Sequence, residues 1–319
     1  MRLVIVIVNY KTPQLVIDCL TSLQGEIEVG FDSVVVVDNA SNDGSVEQME
    51  QAITDNKWSQ WAQVLPSPVN GGFSAGNNLG IKALKADAYL LLNSDTIVRP
   101  GAIKSLLKAM EANPEAGLIS PRLEWPDSTP QISCFRYHSL LSEVIDAAQT
   151  GVITKLLKNY DVPIPVSDTP MEPQWTSFAC VLIRREVMEQ IGLMDEGYFM
   201  YYDDVDYSRT ARNAGWKILH WPEARIVHLR GGSGKVKEAI AKRKRPRPYL
   251  YASRTRYFTK FYSPVGVWIA NLCWLTGRTI SLGRELVRNK EPHTCEYTAQ
   301  DNWMNWRNPM KAPVLPGKD

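Results

Sequence analysis

Apolar positions in the first 230 residues fall into short continuous runs of Val, Ile and Leu, separated by stretches with helical period. A run such as 3–8, apolar at every position, predicts a strand buried on both faces. The spacing then predicts a helix over 13–23, with Thr12 at the N-cap and Pro13 in the first helical position. Strands follow at 33–37, 63–65 and 88–92, with a helix that the loop 70–78 opens and that runs through Leu84, and another over 100–110. Strands that alternate with crossover helices predict an α/β fold with a mostly parallel sheet. In such sheets ligands bind beyond the carboxyl ends of the strands. The polar turn 38–44, the Asn- and Gly-rich loop 70–78 and the turn Asn93, Ser94, Asp95, Thr96 all lie there.

The pattern weakens over 123–173, which carries prolines and little periodicity and is expected to be an acceptor-side insertion or lid. Order returns with a strand at 181–183, a helix over 185–191 and an aromatic-acidic run, 198–206, that enters a helix closing at Gly215. Strands at 217–220 and 224–227 end the regular pattern at His228. Beyond it, 235–247 holds seven Lys and Arg against one Glu, and 265–287 is amphipathic and bears tryptophan. This division gives one α/β domain over 1–234, with halves 1–110 and 111–234. A basic-aromatic helical extension over 235–319 follows, with a loose tail from 291. The extension suits either peripheral contact with an anionic membrane or a homodimer interface.

Composition narrows the function. Among 319 residues, 36 basic and 34 acidic side chains nearly cancel, which argues against a nucleic-acid-binding surface. Five cysteines without C-x-x-C spacing read as buried thiols in a reducing compartment. The apolar run at 3–8 is too short for a signal-peptide core, and no stretch reaches the roughly 18 apolar residues of a membrane span. The expectation is cytoplasmic residence, or a peripheral position at the inner face of the cell membrane.

Three kinds of polar position stand at these strand ends and helix starts: hydrogen-bonding carboxylates, oxygen ligands suited to a hard cation, and crowded carboxylates able to act as a base. Asp38 leaves a buried strand where it could accept hydrogen bonds from a base or ribose, with Asn9 and Tyr10 alongside; it could equally be an Asx-turn residue. Asp95 presents a carboxylate at the sheet rim, suited to Mg²⁺ or Mn²⁺ or to a plain turn. His228 ends a strand before Gly231, Gly232, Ser233 and Gly234 and could reach the same rim. Asp203, Asp204 and Asp206 open a helix after Tyr198, Phe199, Tyr201 and Tyr202. Carboxylates there complement the helix dipole, but crowded like charges beside aromatic rings also suit a sugar site with a general base. His138, His220 and His293 lack such partners and read as structural.

The order of these motifs resembles the family-2 glycosyltransferases of GT-A fold, in particular bacterial rhamnosyltransferase-like members. The matching residues are Val6 to Tyr10, Val36 to Ser41, Asn70 to Phe73 with Gly76 and Asn77, Leu91 to Asp95, Leu182 to Arg185, Asp203 to Asp206, and His228 with Gly232 and Ser233. The resemblance implies an inverting, metal-dependent transferase using Mg²⁺ or Mn²⁺ and a dTDP- or UDP-linked sugar, rhamnose first, with a glycan or lipid-linked acceptor in cell-surface polysaccharide synthesis. It implies that Asp38, Asn9, Tyr10, Asn70, Gly71, Gly76, Asn77, Asn93 and Ser94 hold the nucleotide sugar. Asp95 is similar to the last residue of the D-x-D motif, His228 to the histidine that completes the metal site, and Asp204 to the general base, with Tyr202 and Asp203 toward the acceptor. Three departures stand out: Asn93 replaces the first Asp of D-x-D, Asp203 replaces a Glu, and Phe178 stands where it is expected to narrow the acceptor side.

A dinucleotide-dependent oxidoreductase would need a glycine fingerprint after the first strand, where Asn9 to Pro13 stand instead. A sugar nucleotidyltransferase would need a basic glycine-rich loop near the N-terminus. A noncatalytic nucleotide-sugar or partner-binding module remains the rival, since Asn93 and Asp203 depart from the pattern.

Overall fold

The computed structural model describes residues 1–230, 235–288 and 292–315; the expected role of Gly231 to Gly234 after His228 lies outside these residues. In chain order the elements are β1 Leu3–Asn9, α1 Pro13–Leu23, β2 Ser33–Asp38, α2 Ser45–Asp55, β3 Ala62–Pro66, α3 Gly72–Ala83, β4 Ala88–Asn93, β5 Thr96–Val98, α4 Ala102–Ala112 and β6 Ala116–Glu124. Then come β7 Cys134–Phe135, α5 Leu140–Ala148, α6 Gly151–Leu156, β8 Trp175–Thr176, β9 Cys180–Arg184, α7 Arg185–Ile191, α8 Asp203–Asn213, β10 Lys217–His228, α9 Lys235–Ala241, α10 Pro248–Arg288 and α11 Thr298–Asp301. They form two compact units.

The first unit comprises Met1–Phe135, Ile164–Asp195 and the chain from Asp204 to Arg230. Its eight-stranded sheet runs β3-β2-β1-β4-β9-β6-β10-β5. β3, β2, β1 and β4 are mutually parallel, β9 is antiparallel to both β4 and β6, and β5 returns antiparallel to β10. Successive side chains of a strand point to opposite faces. Ile5, Ile7, Val34, Val36 and Leu90 therefore join one core with residues of α1, α2 and α4, and Val4, Val6, Val35, Val37 and Leu91 join the other. That double burial is why the strands carry no polar alternation. α3 lies close on β1 because Gly80 lacks a side chain: a Cβ there would come within 2.4 Å of Val6 Cγ1.

Several elements exceed the sequence pattern. α2 follows the polar turn directly, entered through Gly44 at φ 85°. β5 and β6 are additional strands, and the two expected final strands are one, β10, whose pairing with β6 shifts register between Trp221 and Arg225. The region 123–173, expected to be an irregular insertion, holds the end of β6, β7, α5 and α6 among turns and loops.

At the end of β6, Glu124 is fully buried and gathers arginines from three places. Arg99 Nε donates to its Oε1 at 3.0 Å and Arg225 Nε to its Oε2 at 2.9 Å, with Arg122 Nε 3.7 Å away. These charge-assisted bonds tie the ends of β5, β6 and β10 together. Glu124→Ala is expected to cost about 2–3 kcal/mol, below the value for a wholly buried ion pair because water still reaches Arg99 and Arg225. A urea titration checks it, and an unchanged midpoint would remove Glu124 from any stabilising role.

The second unit comprises Arg136–Pro163, Glu196–Asp203 and the described residues from 235 on. Here α5 lies along α10, and Gly277 permits the approach, since a Cβ would meet Val144 O at 2.4 Å. Between them Arg254 donates to Glu143 Oε2 through Nη2 at 2.6 Å and to Asn271 Oδ1 through Nη1 at 2.8 Å, all buried. α10 bends at Ser263, φ 69°, before Pro264, which cannot donate to the preceding turn. Over 292–315 the chain is mostly turns around α11, tied to the rest of the unit by side chains. Asp301, buried, accepts both Nε and Nη2 of Arg245 at 2.8 and 2.7 Å, and the Asn302 carbonyl accepts from Asn271.

Candidate active site

The strand register assembles the rim. β1 pairs with β2 so that Asn9 stands opposite Asp38, and with β4 so that Val8 stands opposite Asn93. Asn9 Nδ2 donates to Asp38 Oδ1 at 2.7 Å; Ser41 adds its hydroxyl to the same oxygen at 2.6 Å and its backbone N–H to Oδ2 at 2.9 Å. The buried Asp38 carboxylate is thus fixed in orientation by three donors, and the backbone nearby is strained, with Lys11, Ala40 and Asn42 all at positive φ. Tyr10 is exposed beside it.

The Asn- and Gly-rich loop turns through Asn70, whose Oδ1 accepts the Gly72 N–H at 3.1 Å, and α3 begins after Gly71. Asn39 Nδ2 donates to Gly72 O at 2.9 Å and ties this loop to the Asp38 turn. Gly76 and Asn77 lie within α3. A Cβ at Gly76 would approach Val8 Cγ1 to 2.9 Å, and Asn77 donates to Phe73 O at 3.0 Å. Both have packing duties that the sequence motif did not reveal.

Asn93 closes β4, its carbonyl accepting from Thr96 Oγ1 at 2.7 Å, and Ser94 turns the chain toward Asp95. β5 then pairs with β10 so that Thr96 stands opposite His228, and the Leu229 N–H donates to Asp95 O at 2.9 Å. This brings two side chains 133 positions apart into contact: His228 Nε2 lies 3.4 Å from Asp95 Oδ1, both nearly buried. Gln131 Nε2 holds the His228 carbonyl at 2.7 Å, while the buried His228 Nδ1 has no hydrogen-bond partner among the described residues. Nearby, Cys19 Sγ approaches Thr96 Oγ1 at 3.6 Å. Burial and then the Asp95 charge push that thiol up to about 12, eased by the Thr96 contact, so it is inert. Arg230 lies within electrostatic reach of Asp95, its side chain anchored by Nη2 to Ile132 O at 2.8 Å; burial lowers its pKa and Asp95 opposes that. Gln131 and Arg230 carried no sequence signal, because an isolated polar residue in a loop looks the same whether or not it faces a site.

Among the described residues no cluster of three or more His, Cys, Asp or Glu side chains gathers. Asp95 and His228 alone still fit a hard divalent cation of the Mg²⁺ or Mn²⁺ kind. Such ions are often held by one or two protein ligands and completed by substrate phosphates and water. A neutral residue at 93 makes the protein's share of the site less negative.

Asp204 stands on the first turn of α8, half-buried, its Oδ1 accepting the Val205 N–H at 2.9 Å. Asp203 and Asp206 are buried. Tyr201 and Tyr202 precede this helix with φ 69° and 65°. Tyr202 belongs to an aromatic group in the second unit, 4.9 Å from the His138 ring and 5.4 Å from that of Tyr257. Phe178 does not narrow an acceptor site: it is 2% exposed and packs edge-on to Tyr207 in the core of the first unit.

A mostly parallel sheet with an Asp at the end of its second strand and an Asp–His pair at its rim has the layout of a nucleotide-sugar transferase fold. Solved structures agree. The fold resembles the mannosyltransferase PcManGT of Pyrobaculum calidifontis, in complex with GDP-Man and Mn²⁺, with TM-score 0.57 and 15% identity over 92% of this chain and 77% of that one. It also resembles S. aureus TarS 1–349 in complex with UDP-GlcNAc, with TM-score 0.55 and 15% identity over 96% and 79%. Residues 4–148 match the model of glycosyl transferase family 2.

The chain is 28% identical over 217 residues to the N-acetylglucosaminyl-diphospho-decaprenol L-rhamnosyltransferase of Mycobacterium tuberculosis, covering 63% of this chain and 67% of the relative. It is 27% identical over 238 residues to the low-salt glycan biosynthesis hexosyltransferase Agl10 of Haloferax volcanii, covering 70% and 66%. It is 24% identical to the rhamnosyltransferase WbbL of Escherichia coli over 49% of this chain and 60% of that one. The match thus spans about two thirds of the length of the first two relatives. The chain is thus similar over these spans to the family-2 glycosyltransferases, rhamnosyltransferases among them, and has the GT-A fold.

Proposed function

We propose that this glycosyltransferase moves L-rhamnose from a dTDP-linked donor to a hydroxyl of a sugar carried on a lipid diphosphate, in cell-surface glycan synthesis, with inversion at the anomeric carbon. The observation that carries the reading is the buried Asp95–His228 pair at the strand rim that also holds Asp38. The sugar and acceptor follow the named activity of the mycobacterial relative. Asp38, with Asn9 behind it, receives the nucleoside, while Tyr10, the loop at Asn70 and Gly71, and the turn at Asn93 and Ser94 border the donor. Asp95 and His228 would hold a divalent cation, which when bound offsets the charge of the departing diphosphate. Asp204 takes the proton from the acceptor hydroxyl as its oxygen bonds to the anomeric carbon. The bond from that carbon to the diphosphate breaks, and the nucleoside diphosphate leaves with the electron pair. Tyr202 and Asp203 border the acceptor.

The test is release of nucleoside diphosphate from dTDP- and UDP-linked sugars with a lipid-diphosphate sugar acceptor, in Mn²⁺, Mg²⁺ or EDTA. Turnover of dTDP-rhamnose alone, stopped by chelation, is the expected result. Preference for a UDP-hexose would overturn the donor assignment. Donor binding without turnover on any acceptor would favour a noncatalytic module.

A further inference from the structure

Helix α10 presents an unusual outer face. Taking about 100° per residue, Val265, Trp268, Leu272, Leu275, Leu286 and Val287 fall in one sector of about 120°, and all are exposed: Leu272 by 57%, Leu286 by 82% and Val287 by 87%. The opposite sector is buried, with Val267, Ala270, Asn271, Trp274, Ser281 and Glu285 each below a tenth exposed. The outer apolar face therefore exists in addition to the one that makes the core of the second unit. No helix among the described residues is long and apolar enough to cross a membrane, so α10 is a helix that could lie on an apolar boundary rather than span it.

Charge and aromatic content identify the boundary. The segment 235–315 has sixteen Lys and Arg against five Asp and Glu. Of those five, Glu238 is paired with Lys242, Asp301 with Arg245, and Glu285 with Arg278 and His293. Glu285, the one acidic residue of α10, is buried. A second copy would bring the same excess of basic residues, of which Arg307 stands beside the stripe, without the opposite charges that set pairing in helical interfaces. An anionic lipid surface supplies the missing sign. At the start of the stripe Trp268 packs edge-on against Trp303 and Trp306, at 4.7 and 5.2 Å between ring centroids, and the Arg307 guanidinium lies 5.0 Å over the Trp306 ring. Tryptophan beside arginine is the pairing favoured at lipid headgroups, where one part of the group is apolar and the other wet.

We propose that the outer face of α10, with Trp306 and Arg307 beside it, docks in the plane of an anionic phospholipid surface. The inference concerns binding only and stands independently of the donor and base assigned above. The test is flotation of the full chain with phosphatidylcholine vesicles with and without phosphatidylglycerol, at low and high salt. The expected result is partition at least about tenfold greater with the anionic lipid, weakened by salt and reduced about tenfold or more by Leu272→Glu combined with Leu286→Glu. Both positions face solvent, so the circular dichroism and thermal midpoint should not change. A blue shift of tryptophan emission when the wild-type chain meets anionic vesicles gives a reading that needs no variant. No partition into anionic vesicles at low salt overturns the proposal. So does equal partition into both vesicle types, or a wild-type dimer in sedimentation that the double substitution dissociates.

Discussion

Asp204→Asn is expected to lower turnover by about 10²–10⁴-fold while leaving donor binding nearly intact. The substitution keeps the side chain's size and an oxygen able to accept the Val205 N–H, so the start of α8 survives. What it removes is the ability to take a proton. The loss should appear in kcat, with little change in KM for the donor, because a base contributes chiefly in the transition state. Stopped-time assays of both parameters, with calorimetric donor binding, separate this from general damage. Unchanged turnover would sink the assignment of Asp204 as base, and with it the strongest argument against a noncatalytic module.

The second large effect is expected from Asp95→Ala: a fall of about 10²–10³-fold in turnover, accompanied by loss of the metal dependence of nucleoside-diphosphate binding. Asp95 is the one carboxylate of the pair with His228. Removing it leaves only the His228 ring and the Asn93 amide to face a divalent cation. His228→Ala should act in the same direction but less, since it removes no charge. Restoring the family's first carboxylate with Asn93→Asp should tighten Mn²⁺ binding. Calorimetry of nucleoside diphosphate with and without Mn²⁺ reads all three. Equal binding with metal and with EDTA in the wild-type chain would show that Asp95 serves the donor by some other means.

The legibility of these residues differed for physical reasons. Asp38 and Asp95 follow continuous apolar runs, and a carboxylate at the end of a strand buried on both faces must emerge at the rim, so their placement needed no coordinates. The boundaries of β1, β2 and β4 were readable within a residue on the same ground. α1 and α7 could be bounded from capping and period alone. β5 and β6 could not. β5 has three residues, which is too short for any period, and β6 contains Gly117 and Pro121, which interrupt its apolar pattern. α5 went unread because its apolar residues answer to α10, more than a hundred positions later, and a nine-residue helix shows little period by itself.

Phe178 shows the limit of a motif. In a string of residues it invited a reading as a wall of the acceptor side, yet a large aromatic side chain is stabilised most by full burial, and the core beside Tyr207 took it.

By itself the sequence determined the α/β class and the strands whose ends carry Asp38 and Asp95, because apolar period and polar interruption are local properties. Only the tertiary structure decided that His228 meets Asp95, that Glu124 collects arginines from three places, and that α10 keeps a second apolar face outside its core. Those follow from strand register and helix packing between distant segments, and the free energy that selects them comes from contacts made only when the chain is folded.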